Sequence, residues 1–176
     1  LNPHMLFNSL NTLRSLVPEN QDKAQDYIQE LSRVLRYTLQ SNESQSVSLR
    51  EEMEFASAYI FLLKMRFENN LQFDIQIAKS FEDYRLPPMA VQVLIENAVK
   101  HNEISDRKPL TIHIITNNEG YLSVSNDIQP KPTAASGTGI GLVNLAKRYR
   151  LLFKQDIQIT EDKEFSVCIP LIDEVQ

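Results

Sequence analysis

Three of the only four glycines in this 176-residue chain stand at Gly137, Gly139 and Gly141, within the run GTGIGL. Such clustering has a backbone cause, because glycine enters positive φ and lets main-chain amides come close to a ligand. The residues that follow, LVNLAKRYRLLF, read as a helix, so the free N–H groups at its start can face an anion. Two other phosphate loops are excluded. The GxxxxGK(S/T) pattern is absent, and the dinucleotide fingerprint, which these glycines approximate, needs a strand immediately before it where this chain has QPKPTAAS.

A second segment supplies what the glycine loop lacks. IENAVKHN, residues 95–102, reads as helical, and at 3.6 residues per turn Asn97, Lys100 and His101 share one side with Val93. Most Asn, Lys and Glu side chains on helices are simply solvated. Here the face presents an amide oxygen, a cation and an imidazole to the same region as the loop. Mg2+ is a hard cation that takes oxygen ligands and keeps waters and substrate phosphates, so Asn97 suits the metal while Lys100 and His101 suit phosphate oxygens. Glu96 lies beside this face. Two roles remain open for it: polarising a water or acceptor, and an i to i+4 ion pair with Lys100.

The amino-terminal region reads as two helices. Leu6, Leu10, Leu13 and Val17 make an apolar stripe, and His4, Asn8, Asn11 and Ser15 make a polar stripe opposite, with Asn2 and Pro3 at the helix start. A second apolar repeat runs through Ala24, Tyr27, Ile28, Leu31, Val34, Leu35 and Leu39, and VPENQD is the turn between them. A lone hairpin of about 40 residues buries too little apolar surface to be stable alone. A second copy resolves this, giving a symmetric four-helix bundle with His4 on its outside, so a homodimer is expected.

SNESQSVS, residues 41–48, is polar and without period, and is expected to link the hairpin to the rest. Beyond it the pattern predicts a helix over 49–68, a strand over 71–78 and a helix over 88–102. TIHIITNNEGYLSVSN alternates on both sides of NNEG and predicts a hairpin, as does IQITEDKEFSVCIPL at the end. A helix is predicted over 139–153, and the proline-containing loop 127–136 suits a lid. Helices on one face of a mixed sheet form a two-layer sandwich, so the fold class is α+β, with a magnesium nucleotide expected between helices and lid.

Composition narrows the partners. A net charge of −5 and a pI near 5.2 speak against nucleic acid. The single cysteine, Cys168, lies in an alternating run and is expected to be a buried strand residue, with no disulfide or metal framework implied. No apolar run approaches the roughly 20 residues that span a bilayer, and no signal peptide is visible.

Four motifs in order resemble the LytS-type sensor histidine kinases, whose ATP-binding domain is of the GHKL (Bergerat) type shared with gyrase, Hsp90 and MutL. LNPHMLFNSLN at 1–11 is similar to the family's phosphoacceptor signature. VSLREEMEFASAYIFLLKMRFENNLQFDI at 47–75 is similar to its Leu-x-x-Glu, Tyr and Arg-Phe pattern, at Leu49, Glu52, Tyr59, Arg66 and Phe67. LPPMAVQVLIENAVKHN and GTGIGLVNLAKRY resemble its N box and G box, so the likeness spans almost the whole chain.

The resemblance implies a dimerising phosphotransfer hairpin over 1–43 and a catalytic ATP-binding domain over 44–176. It implies His4 as the phosphorylated residue, Asn97 on Mg2+, Lys100 and His101 on the phosphates of ATP, and Gly137, Gly139 and Gly141 shaping the lid end. The partner implied is the aspartate of a response-regulator receiver domain. A neutral imidazole with a pKa of about 6.5 is nucleophilic at physiological pH and suits a phosphoryl carrier. Met5 follows His4 where many other histidine kinases have an acid, so an assisting base comes from elsewhere, with Glu96 the candidate. Since the chain opens at the phosphoacceptor motif, it is expected to be a piece of a longer protein. By family likeness that parent is a bacterial inner-membrane protein, with membrane contact only through segments outside this chain and this region in the cytoplasm.

Most of the superfamily reads adenine with an Asp at a strand end, followed by a glycine turn. Here the segment is LSVSNDIQP, and Asn126 falls on the face of Leu122 and Val124 while Asp127 faces the other way. Asn126 is therefore the expected adenine reader, its amide able to accept and donate. Two other readings stay open. One is a nucleotide-dependent pseudokinase or scaffold that signals by domain rearrangement, and the other a phosphatase-dominant sensor in which His4 and Asn8 orient a hydrolytic water.

Overall fold

The computed structural model describes residues 3–41, 44–132 and 139–174. Two helices, α1 (Pro3–Glu19) and α2 (Gln21–Ser41), form an antiparallel hairpin broken at Asn20, whose side chain accepts from the Lys23 amide at 3.1 Å. Pro3 opens α1, where its missing N–H is not needed. The short strand β1 (Val47–Ser48) follows, then α3 (Leu49–Phe67), with the Ser48 side chain accepting from the Glu51 amide at 3.2 Å as N-cap.

The chain continues through β2 (Leu71–Gln76), the two-residue strand β3 (Arg85–Leu86), α4 (Ala90–His101) and the hairpin β4 (Leu110–Thr116) and β5 (Tyr121–Asp127). It closes with α5 (Ile140–Phe153) and the hairpin β6 (Gln158–Glu161) and β7 (Glu164–Pro170). The main sheet has the order β2-β4-β5-β7-β6. In this sheet β2 and β4 pair in parallel, as their connection through α4 requires, β4–β5 and β6–β7 are antiparallel hairpins, and β5 pairs antiparallel with β7 across the connection through α5 and β6.

Alternation along the strands explains the two layers. Ile112 and Ile114 on β4, Leu122 and Val124 on β5, and Val167 and Ile169 on β7 are all buried beneath the helices. The other face is polar, with His113 Nδ1 2.8 Å from Asp74 Oδ2. This is the α+β sandwich expected from the periodicities. Cys168 is a free, half-buried thiol on β7 and less enclosed than expected, because it shares the outer face with its cross-strand partners Ser123 and Gln158.

The hairpin differs from its simple helical-wheel picture. The stripe Leu6, Leu10, Leu13, Val17 splits: Met5, Leu13 and Leu16 pack on the core and Ser9 is buried, whereas Phe7, Leu10 and Val17 are exposed. In α2, Ala24, Tyr27, Leu31 and Val34 are buried and Ile28 and Leu39 are exposed. The cause is that each helix carries two apolar faces, one of which packs against α3 or its neighbours. Residues 44–48 are also less loose than their composition suggests. Val47 and Ser48 pair with Leu86 and Arg85, and the Arg85 guanidinium donates to Ser46 O at 2.7 Å and Ser46 Oγ at 3.1 Å.

Candidate nucleotide and phosphoacceptor site

Helix α4 brings the predicted site residues together. Val93, Glu96, Asn97, Lys100 and His101 line a small cavity of about 100 Å3 whose opposite wall is Gly139, Ile140, Gly141 and Leu142. The i, i+3, i+4 spacing read in IENAVKHN and the glycine run therefore meet in space. Gly139 adopts φ 59 and ends the loop as N-cap of α5, a left-handed conformation that glycine adopts without steric penalty. Gly141 sits close to α4, since a Cβ there would lie 3.3 Å from Val93 Cγ1. Gly137 lies outside the described residues.

A second cavity, of about 680 Å3, adjoins the first along the same helix. His4, Asn8, Tyr27 and Tyr59 line it, together with Arg66, Glu96, Lys100 and His101. Glu96, Lys100 and His101 thus belong to both walls. From the polar stripe of α1 only His4 and Asn8 border this cavity, beside Met5, Ser9 and Thr12, whereas Asn11 and Ser15 are exposed outside it and His4 itself is exposed. Arg66 and Lys131 add positive charge to the same space, and the Arg66 guanidinium sits 4.6 Å from the centre of the Phe67 ring.

The protonation states suit anion binding beside a neutral imidazole. Burial holds the His101 pKa below its ordinary value, and the charges of Lys100 and Lys131 press it the same way. At neutral pH the His101 ring is therefore uncharged, able to donate from one nitrogen. Glu96 Oε2 accepts from Gln92 Nε2 at 2.9 Å, a bond within α4 that orients the carboxylate.

The donor set is compatible with Mg2+ held mainly by a nucleotide. Among the described residues no group of three or more His, Cys, Asp or Glu converges as a protein metal site. Mg2+ keeps several waters and takes substrate phosphates beside few protein oxygens, and the Asn97 amide oxygen can supply one of these. The small cavity is phosphate-sized, well below the roughly 300–1,000 Å3 of complete small-molecule pockets.

Asn126 stands apart from both cavities. It is 1% exposed on β5, on the same face as Leu122 and Val124, and its Nδ2 donates to the Asp127 carbonyl at 2.8 Å. Asp127 is exposed at the end of the strand.

Sequence reasoning did not find the role of a buried carboxylate on α3. Glu52, noted only as part of a motif, accepts from the Tyr37 hydroxyl at 2.7 Å and from the amides of Met89 and Val91 at 3.2 and 3.0 Å. The signal available was its position in the first turn of α3, beside Glu51, which says nothing of its distant partners.

No helix among the described residues is long and apolar enough to cross a membrane. The histidine kinase family model matches residues 1–71. The sensor protein LytS of Streptococcus mutans serotype c is 34% identical over 178 residues, covering 92% of this chain and 30% of that protein. The sensor histidine kinase BtsS of Escherichia coli strain K12 is 33% identical over 165 residues, covering 91% of this chain and 29% of its own. The chain thus spans about 30% of the length of the curated relatives it matches. Among solved structures, the catalytic domain of histidine kinase ThkA aligns with a TM-score of 0.50 at 18% identity, over 73% of this chain and 99% of that one, a likeness of fold.

Proposed function

The chain is a relative of the LytS-type sensor histidine kinases over 92% of its length, and from that premise we propose that it is the ATP-dependent core of such a kinase, phosphorylating itself at His4 and passing the phosphoryl group to a response-regulator aspartate. The observation that carries this reading is the shared wall. Lys100 and His101 border both the cavity closed by Gly139 and Gly141 and the cavity that contains His4.

In this reading Asn97 holds Mg2+, Lys100 and His101 meet phosphate oxygens, and Gly137, Gly139 and Gly141 shape the lid, while Asn126 reads adenine only once nucleotide binding uncovers its side chain, which is 1% exposed. Bound Mg2+ supplies charge neutralisation on the phosphate oxygens. The neutral nitrogen of His4 attacks the γ-phosphorus as the bond to the β-phosphate oxygen breaks, and ADP leaves. The proton on the other imidazole nitrogen then goes to a base, for which Glu96 is the candidate. Asn8, four residues on from His4 and lining the same cavity, orients the imidazole. Lys100 follows the phosphoryl charge from one cavity to the next, which is where electrostatic stabilisation is needed.

We divide the chain functionally into a phosphotransfer hairpin over 1–43 and an ATP-binding part over 44–176. The exposed residues Phe7, Leu10 and Val17 on α1 and Ile28 and Leu39 on α2 support a homodimer that buries them in a four-helix bundle. By family likeness the region acts in the cytoplasm, its anchoring left to segments outside this chain.

The test is incubation with γ-labelled ATP and Mg2+, comparing wild type with His4→Gln and Asn97→Ala. Acid-labile, alkali-stable label that depends on both residues is expected. Nucleotide binding with no label would instead establish the scaffold reading.

A further inference from the structure

Glu52 has no exposed surface, an expensive place for a carboxylate. Its oxygens serve three donors from two other helical segments. Oε2 accepts from the Tyr37 hydroxyl of α2 at 2.7 Å and from the Met89 amide at 3.2 Å, and Oε1 accepts from the Val91 amide at 3.0 Å. The Tyr37 ring is itself held by stacking on Phe55, with centroids 4.3 Å apart and planes 14° from parallel.

Helix α4 depends on this carboxylate at its start. Its N-cap, Met89, adopts φ 70, a left-handed conformation rare for a residue with a side chain, and its own side chain makes no capping bond. The unpaired N–H groups of a helix start need an acceptor, and a negative charge there is favoured by the helix dipole. A Ser or Asn at the cap would meet that need locally. Here the acceptor comes instead from α3 and is shared with the hairpin. From the other side Arg148 of α5 donates to the Pro88 carbonyl at 2.6 Å, with its charge acting on Glu52.

One carboxylate therefore joins the helix paired with the His4 helix to the helix bearing Asn97 and Lys100, and Arg148, through the Pro88 carbonyl, ties the helix that follows Gly139 to the same turn. The chemistry described above uses none of Tyr37, Glu52 or Arg148. We propose that these three are positioning residues, a latch through which the pose of α2 sets the start of α4 and so the alignment of Lys100 and His101 with His4. The structural part stands alone, while its consequence for phosphorylation rests on the kinase reading.

Tyr37→Phe is the direct test, because it removes only the hydroxyl and keeps the stack on Phe55. In the complete chain, amide exchange at Met89 and Val91 is expected to quicken about tenfold, as loss of one charge-assisted hydrogen bond implies. Labelling of His4 is expected to slow by a similar factor, with the Mg-ATP dissociation constant within about twofold of wild type. A purely structural role would lower binding and labelling together. Glu52→Gln is expected to act in the same direction, and adding Tyr37→Phe to it is expected to slow labelling no further. Unchanged exchange at Met89 and Val91, parallel loss of affinity and labelling, or effects of the two variants that multiply would each overturn the latch. If wild type takes up no label, the kinase reading falls and the exchange measurement alone decides the coupling.

Discussion

The hydroxyl of Tyr37 donates to Glu52 across 2.7 Å, and Glu52 in turn caps the helix that bears Asn97. The hairpin and the proposed nucleotide helix therefore meet at a single acceptor, not merely across an apolar contact. The carboxylate tolerates this position because three hydrogen bonds and the nearby charge of Arg148 offset its burial.

That balance gives a pH signature. Burial raises the Glu52 pKa to about 6 from 4.5, against the lowering effects of Tyr37, Val91, Met89 and Arg148. Between those values the folded carboxyl keeps a proton that the unfolded chain has released, so its contribution is complete at low pH and is lost as pH rises through 6. Wild type is expected to lose roughly 2 kcal/mol across this window that Glu52→Gln does not lose. Urea unfolding of both proteins from pH 4 to 7 measures it, and parallel profiles would contradict it.

The glycine pair can be separated by substitution. Alanine at Gly139 meets no atom within 4 Å but must adopt φ 59, costing about 1–2 kcal/mol in strain alone. Valine at Gly141 pushes against Val93 on α4, where even its Cβ lies 3.3 Å from Val93 Cγ1, and is expected to cost about 1–3 kcal/mol. Gly141→Val is also expected to weaken Mg-ATP binding about tenfold, since it moves the glycine wall away from Asn97. Thermal unfolding and calorimetry report the two effects separately.

The hairpin's outward apolar face sets the oligomeric state. Leu10 is 49% exposed and Val17 50%, one on each side of Arg14 along α1. Replacing both with Asp is expected to convert the dimer to monomer in analytical ultracentrifugation, with the sandwich still folded by circular dichroism. A wild-type protein that is monomeric at micromolar concentration would contradict this assignment.

Much of this arrangement was legible where a period or a composition carried it. The spacing of Asn97, Lys100 and His101 placed them on one face of α4, and alternation put Asn126 on the buried side of β5, as observed. The two-residue strands β1 and β3 were not, because so short a segment has no period. Nor was the split of the α1 stripe, since a helical wheel shows an apolar side but not which of two neighbours takes it. The Glu52 cluster was hidden for a third reason. Its partners Met89 and Val91 lie 37 and 39 residues away, and a cap supplied from another helix leaves no local motif.

The most direct test of the account is calorimetric titration of the folded, intact chain with ATP in Mg2+ and again in excess EDTA. The account predicts saturable uptake in Mg2+ that falls sharply in EDTA and in Asn97→Ala. Equal heats in all three conditions, or no uptake of any adenine nucleotide by folded protein, would contradict it.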